Sequence, residues 1–311
     1  RLQGGIPFQE AWAKRPDLPF IVVSTVDQVG SMLLHQGYRS SPKMKPIHSG
    51  LVANDMLLIL DEVHIASAFA ETLRSIRKFQ EQSWPKNLPL RRGLVFMSAT
   101  PRDPQEGDFG LDEEDLKKPT IQKRIQARKE FSLLPVKMGD MARLAKTAVE
   151  ELEKLKKSGA KRILLVWNQV AVARMAFEMI QDRKTLLIGR NHPIHRQALQ
   201  EECEPFVTSK RNREEDNDAF VVISTQVIEV GADYDFDAMV TEVAPLDVLI
   251  QRFGRLNRRG EFPTAKAIIL GRSDHLAEGS PIYGMAMGAT WELLQAQTAT
   301  TFDEVIRACG K

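Results

Sequence analysis

Apolar residues in this chain gather into short runs rich in Val, Ile and Leu, and longer amphipathic stretches separate them. The runs cover residues 19–23, 56–60, 93–97, 162–167, 185–188, 220–223 and 266–270. Strands buried on both faces read as such continuous runs, and parallel neighbours need a crossover helix between them. Helices are predicted over 26–36, 69–80, 143–157, 170–180, 194–203 and 245–255, several with apolar positions three and four residues apart. The class is therefore α/β, with mostly parallel sheets.

After Pro101 the periodicity dissolves into a stretch rich in Asp, Glu, Pro and Gly, residues 103–115. Lys117, Lys118, Lys123, Arg124, Arg128 and Lys129 then follow within 13 residues that hold no acid. This segment reads either as a solvated linker helix or as a contact for a phosphate backbone. It divides the chain into a first domain over 1–115, a basic linker over 116–130, a second domain over 131–280, and the start of a C-terminal helical extension over 281–311. Two domains also suit a length of 311 residues.

Composition narrows the class without naming a chemistry. With 43% hydrophobic and 27% charged residues the chain is ordinary globular protein. Cys203 and Cys309 form no CxxC pair, so neither a disulfide framework nor a zinc site is expected, and a cytoplasmic setting follows. No apolar run approaches the roughly 18 residues of a membrane span. The chain begins at Arg1 with no signal-peptide pattern, and is expected to be a piece of a longer protein. A net charge of only +2 means that any affinity for nucleic acid must come from local grouping of Lys and Arg.

Four motifs carry candidate chemistry. The run 56–60 ends in Asp61-Glu62-Val63-His64, which puts two carboxylates at the C-terminal edge of a parallel strand, where open α/β sheets bind ligands. In nucleotide hydrolysis the first would hold Mg²⁺ bridging the phosphates and the second would polarise the attacking water. The plainer reading is a helix N-terminal cap. The run 93–97 leads into Ser98-Ala99-Thr100-Pro101, whose hydroxyls suit hydrogen bonds to the acidic motif, or simply a turn. Ser224 to Asp233 follows the run 220–223, and Gln251-Arg252-Phe253-Gly254-Arg255-Leu256-Asn257-Arg258 comes soon after. Arg252, Arg255 and Arg258 at i, i+3 and i+6 would line one side of a helix or its end, a row of guanidiniums suited to phosphate oxygens and to an arginine-finger role.

This ordered set resembles motifs II, III, V and VI of superfamily 2 helicases. More narrowly, the chain resembles the helicase-nucleases of type I CRISPR interference. The likeness rests on Ser24-Thr25-Val26-Asp27-Gln28, Thr225-Gln226-Val227-Ile228-Glu229, Asp233-Tyr234-Asp235-Phe236-Asp237 and the block from Ala244 to Arg252. It implies two RecA-like domains, the first truncated at its N-terminus, that close on ATP. It also implies Asp61 and Glu62 for Mg²⁺ and water; His64, Ser98 and Thr100 for coupling between domains; and Gln251, Arg255 and Arg258 at the γ-phosphate. Gly231, Asp233 and Arg252 would border the nucleotide. Thr25, Arg190, Thr225 and Gln226 would contact single-stranded DNA, and the partner would be a Cascade-like RNA-guided surveillance complex.

The chain departs from the family in two places. No Gly-rich loop ending in Lys-Ser or Lys-Thr occurs in these 311 residues, and Ser158-Gly159-Ala160-Lys161 lies in the second domain without the hydroxyl. No HD pair for a nuclease is present. His192 and His195 form an HxxH interrupted by Pro193, with no carboxylate or cysteine nearby to complete a ligand set. Two other readings stay open: a superfamily 2 RNA helicase, which the 2′-hydroxyl would discriminate, and a catalytically silent segment that binds nucleic acid or a partner.

Overall fold

The computed structural model describes residues 11–98 and 109–309, apart from 39, 64, 86, 88–92, 138–140, 190–192, 214–217, 230–232 and 298–300. His64, Thr100, Arg190 and Gly231 lie outside the described residues. The chain divides into two compact units, Arg1–Asp108 and Phe109–Lys311.

The first unit holds α1 (Ala11–Lys14), α2 (Val26–Leu33), α3 (Lys45–Asn54), β1 (Leu57–Leu60), α4 (Ser67–Ser83) and β2 (Gly93–Phe96). β1 and β2 pair in parallel, from Leu57 opposite Gly93 to Leu60 opposite Phe96, and α4 is the crossover. Because side chains alternate along a strand, Leu58, Leu60, Leu94 and Phe96 pack with Ala70 and Leu73 of α4, while Leu57, Ile59, Val95 and Met97 stay exposed on the other face. Residues 19–23, expected as a strand, form none. Ile21 is 98% exposed, and among the described residues no neighbour pairs with this segment along its length.

The second unit is a six-stranded parallel sheet in the order β3-β8-β7-β4-β6-β5. Its strands are β3 (Arg128–Val136), β4 (Arg162–Val166), β5 (Arg183–Leu187), β6 (Phe220–Ser224), β7 (Ala238–Glu242) and β8 (Thr264–Arg272). Its helices are α5 (Glu113–Lys117), α6 (Pro119–Gln126), α7 (Met141–Lys157), α8 (Val170–Met179), α9 (Pro193–Val207), α10 (Leu246–Phe253), α11 (Ser273–Ala277), α12 (Ala286–Ala296) and α13 (Phe302–Cys309). β4, β6 and β7 are buried at every residue, as continuous apolar runs demand of central parallel strands. Leu164 and Val166 face one core with Phe253, Met287, Trp291 and Phe302; Ile163 and Leu165 face the other with Leu144, Leu152 and Val172.

Two expected boundaries shift. β3 begins at Arg128, inside the stretch read as a linker, and occupies the sheet edge, which tolerates Pro135 without an N–H. Residues 281–311, expected as the start of an extension, contribute α12 and α13 to the sheet's own core. The Phe302 ring stacks on Phe253 at 3.8 Å, and Trp291 lies so close over Gly271 of β8 that a Cβ there would sit 2.6 Å from the indole.

Candidate functional site

In the first unit, parallel register brings the acidic motif and the Ser98 segment to one sheet edge. Leu60 and Phe96 are partners, so Asp61 and Met97 emerge side by side; the Met97 amide donates to the Leu60 carbonyl (2.9 Å) and the Val63 amide to the Met97 carbonyl (3.0 Å). Asp61 is exposed, its Oδ1 accepts the Glu62 amide at 2.9 Å, and Glu62 takes a left-handed φ of 50° that lifts it out of the strand line. Strained backbone of this kind recurs at functional turns. Asp61 and Glu62 precede α4 by a full turn and do not cap it; its N-cap is Ala66. Ser98 follows Met97, half-buried. Mg²⁺ in nucleotide sites takes one or two carboxylates and completes its shell with phosphate oxygens and water. An exposed aspartate beside a glutamate at a parallel sheet edge fits that donor set. Thr25 is the N-cap of α2, its hydroxyl accepting the Gln28 amide at 3.4 Å.

In the second unit, Asn168, Thr225 and Gln226 gather beyond the C-terminal ends of β4 and β6. Thr225 is buried and its amide donates to the Leu187 carbonyl at 3.4 Å. The Gln226 amide side chain donates to the Asn168 carbonyl (3.1 Å) and meets the Tyr283 hydroxyl (3.4 Å).

The arginine row does not run along one helix face. α10 stops at Phe253, the chain tightens through Gly254, and Asn257 turns left-handed at φ 43°, so the three guanidiniums part company. Arg252 is fully buried: its Nε donates to Glu229 (3.0 Å), one terminal nitrogen to the Thr241 hydroxyl and the Glu242 carbonyl (both 2.9 Å), the other to Asn168 Oδ1 (2.9 Å). That spends four of its five donors inside the unit, so Arg252 ties Glu229, Thr241, Glu242 and Asn168 together. Burial pushes the Glu229 carboxyl up, against the opposing pull of Arg252. Arg255, 7% exposed, also turns inward, donating to the carbonyls of Ile228 (3.1 Å) and Glu229 (2.7 Å) at the turn after β6. Arg258 alone of the three is exposed, with its Nε on Asp233 Oδ1 at 3.0 Å. Gln251 is half-buried on α10.

Asp233-Tyr234-Asp235-Phe236-Asp237 alternates like a strand, with Tyr234 and Phe236 in the core and the three acids bonded to basic groups. Asp233 accepts the Ser209 hydroxyl (2.7 Å) as well as Arg258, and these two, Ser209 first, hold its carboxyl below the usual range. Asp235 accepts Arg213 (2.6 Å) and the Arg258 backbone amide (2.7 Å). Asp237 accepts Arg211 (2.9 Å), Arg213, and the amides of Lys161 (3.0 Å) and Arg162 (2.9 Å) at the start of β4. Phe236 also exchanges backbone hydrogen bonds with Arg255 and Asn257, which pins the arginine loop to this block. Sequence reasoning missed Asn168, Arg211, Arg213 and Tyr283. The alternation of acids and aromatics over 233–237 is the signal that asks for basic partners nearby.

A cavity of about 490 Å³ opens at the other end of β4, β5 and β6, where the Arg183 guanidinium lies 4.1 Å over the Phe206 ring; apart from Arg162, it is lined by none of the residues above. Among the described residues no cluster of three or more His, Cys, Asp or Glu has metal-binding geometry, and no helix is long and apolar enough to cross a membrane.

Residues 159–261 match the family model for the C-terminal part of CRISPR-associated nuclease/helicase Cas3. A putative CRISPR-associated nuclease/helicase Cas3 of Methanocaldococcus jannaschii is 33% identical over 112 residues, 36% of this chain and 15% of that protein. The CRISPR-associated endonuclease/helicase Cas3 of Escherichia coli K12 is 24% identical over 319 positions, 86% of this chain and 34% of the relative. The crystal structure of T. fusca Cas3 superposes with a TM-score of 0.64 at 17% identity, covering 97% of this chain and 41% of that one; its ATP form gives 0.61 at 16% identity, covering 84% and 36%. At such identity the structural likeness is one of fold, and the chain spans well under half of each relative.

Proposed function

From the premise that this chain is Cas3-helicase-like, we propose that it forms part of an ATP-driven translocase on single-stranded DNA, acting in type I CRISPR interference with a Cascade-like RNA-guided surveillance complex. Asp61 would hold Mg²⁺, which when bound neutralises phosphate charge, and Glu62 would accept a proton from the attacking water. Arg258, exposed on a pinned loop and already paired with a carboxylate, would exchange that partner for a phosphate oxygen. Gln251 stands on the helix that feeds the same loop. In this reading Arg252 and Arg255 act from inside: they fix the loop, while Arg258 meets the nucleotide.

The observation that carries the proposal is the Arg252 network. A translocase must connect its grip on the strand to the state of the phosphates. Arg252 bonds Asn168, whose carbonyl holds Gln226, and it also bonds Glu229, whose backbone carbonyl holds Arg255. One buried guanidinium thus ties the candidate strand contact Gln226 to the arginine loop. Because these 311 residues contain no Lys-Ser or Lys-Thr phosphate loop, ATP turnover is assigned to a longer protein that carries this chain, and the chain by itself is expected to be silent. In such a full-length protein, Glu62→Gln should abolish steady-state ATP hydrolysis while leaving affinity for a single-stranded oligonucleotide unchanged. Normal turnover by that variant would refute the assignment.

A further inference from the structure

The basic arm before the sheet remains unused by the reading above. α5 and α6 carry Lys117, Lys123 and Arg124, and β3 opens with Arg128; all four are exposed, and none has an ion-pair partner among the described residues. The arm's own acids sit in the first turn of α5, where Asp115 is taken by Lys118 and caps the helix with Asp112. From Leu116 to Lys129 there is no acid at all. In a chain whose net charge is only +2, this is a local concentration of positive charge and not the edge of a global field.

The arm is also fixed in place, at both ends of the arginine loop. Lys129 is half-buried and its Nζ donates to the Phe253 carbonyl, the end of α10, at 2.9 Å. The Arg128 amide donates to Pro263 at 2.9 Å, and β3 then pairs with β8 over its whole length. At the far end of the loop, Gly260 (φ 68°) lies so close under α6 that a Cβ would sit 2.2 Å from the Lys123 carbonyl. The four cations are therefore carried on backbone docked beside the loop that holds Arg258, and ordering them costs less backbone entropy than ordering a floppy linker would.

We infer that Lys117, Lys123, Arg124 and Arg128 form a contact for the phosphate backbone of single-stranded nucleic acid. Guanidinium forks and ammonium groups without intramolecular partners are the groups that phosphate oxygens recruit. Docked against Gly260 and Phe253, the arm would sense the strand on the same loop that senses the nucleotide. This inference rests on the nucleic-acid half of the proposed function.

The test is the salt dependence of binding of a labelled single-stranded oligothymidylate to this chain, by fluorescence anisotropy. Replacing all four cations by Gln should flatten the plot of log K against log salt by about 0.7 for each phosphate no longer neutralised, up to about 2.8. Unfolding in urea should be unchanged, and a matched variant with Lys137, Lys146, Lys157 and Lys266 changed to Gln should keep the wild-type slope. Equal flattening in both variants would reduce the effect to net charge and overturn the inference. An unchanged slope in the arm variant would overturn it alone and return the segment to a solvated helix. Failure of the wild-type chain to bind would sink both this inference and the nucleic-acid reading on which it stands.

Discussion

Arg252 and Arg258 share a motif and differ in almost everything physical. Truncating Arg252 leaves the Glu229 carboxyl, the Thr241 hydroxyl and the Asn168 amide oxygen buried without their donor, and removing one partner of a buried ion pair costs about 3–5 kcal/mol. Arg258→Ala breaks an exposed pair, worth about 0–1 kcal/mol. Urea unfolding of the two alanine variants should separate them on that scale; comparable destabilisation would mean that the Arg252 network is not the framework of the site. Asp233 gives a second residue-level test. Its depressed carboxyl favours the folded state above the unfolded carboxylate range, and that contribution disappears as pH falls through the folded value. Ser209→Ala and Arg258→Ala should each raise the Asp233 value, read by NMR titration of the side-chain carboxyl carbon, because each removes a partner of the charged carboxylate. A value unmoved by either variant would show that these two partners do not set it.

At the scale of elements, the central strands β4 and β6 were legible because burial on both faces leaves no polar alternation, and they lie where the apolar runs put them. Two strands escaped. β7 ends in Thr241-Glu242, whose polar groups are buried only because Arg252 and Asn168 bond them, a long-range fact with no local signature. β3 opens Arg-Lys-Glu, and an edge strand with half-exposed residues reads like a linker. The candidate site was legible in its motifs but not in its geometry. Helical spacing suggested a row of three arginines, and the left-handed Asn257 sends Arg258 apart from the others. α12 and α13 looked like an appendage because the groups they pack on, Gly271 under Trp291 and Phe253 under Phe302, stand up to about fifty positions earlier in the chain. Trp291→Ala should therefore cost about 3–5 kcal/mol, as for a core aromatic. A cost below about 1 kcal/mol in urea unfolding would return α12 to the status of an extension.

For the whole molecule, the acidic pair stands on one compact unit and the arginine loop on the other, each built on a parallel sheet. The motor reading makes these two sets halves of one engine; the competing readings make the chain an RNA helicase or a silent binding element. The measurement that separates them is the steady-state ATP hydrolysis rate of the full-length protein carrying this chain, without nucleic acid, with single-stranded DNA and with RNA, beside this chain alone. The account predicts hydrolysis by the full-length protein that single-stranded DNA stimulates more than RNA does, and none by the isolated chain. Equal stimulation by RNA, or a full-length protein silent under all three conditions, would contradict it.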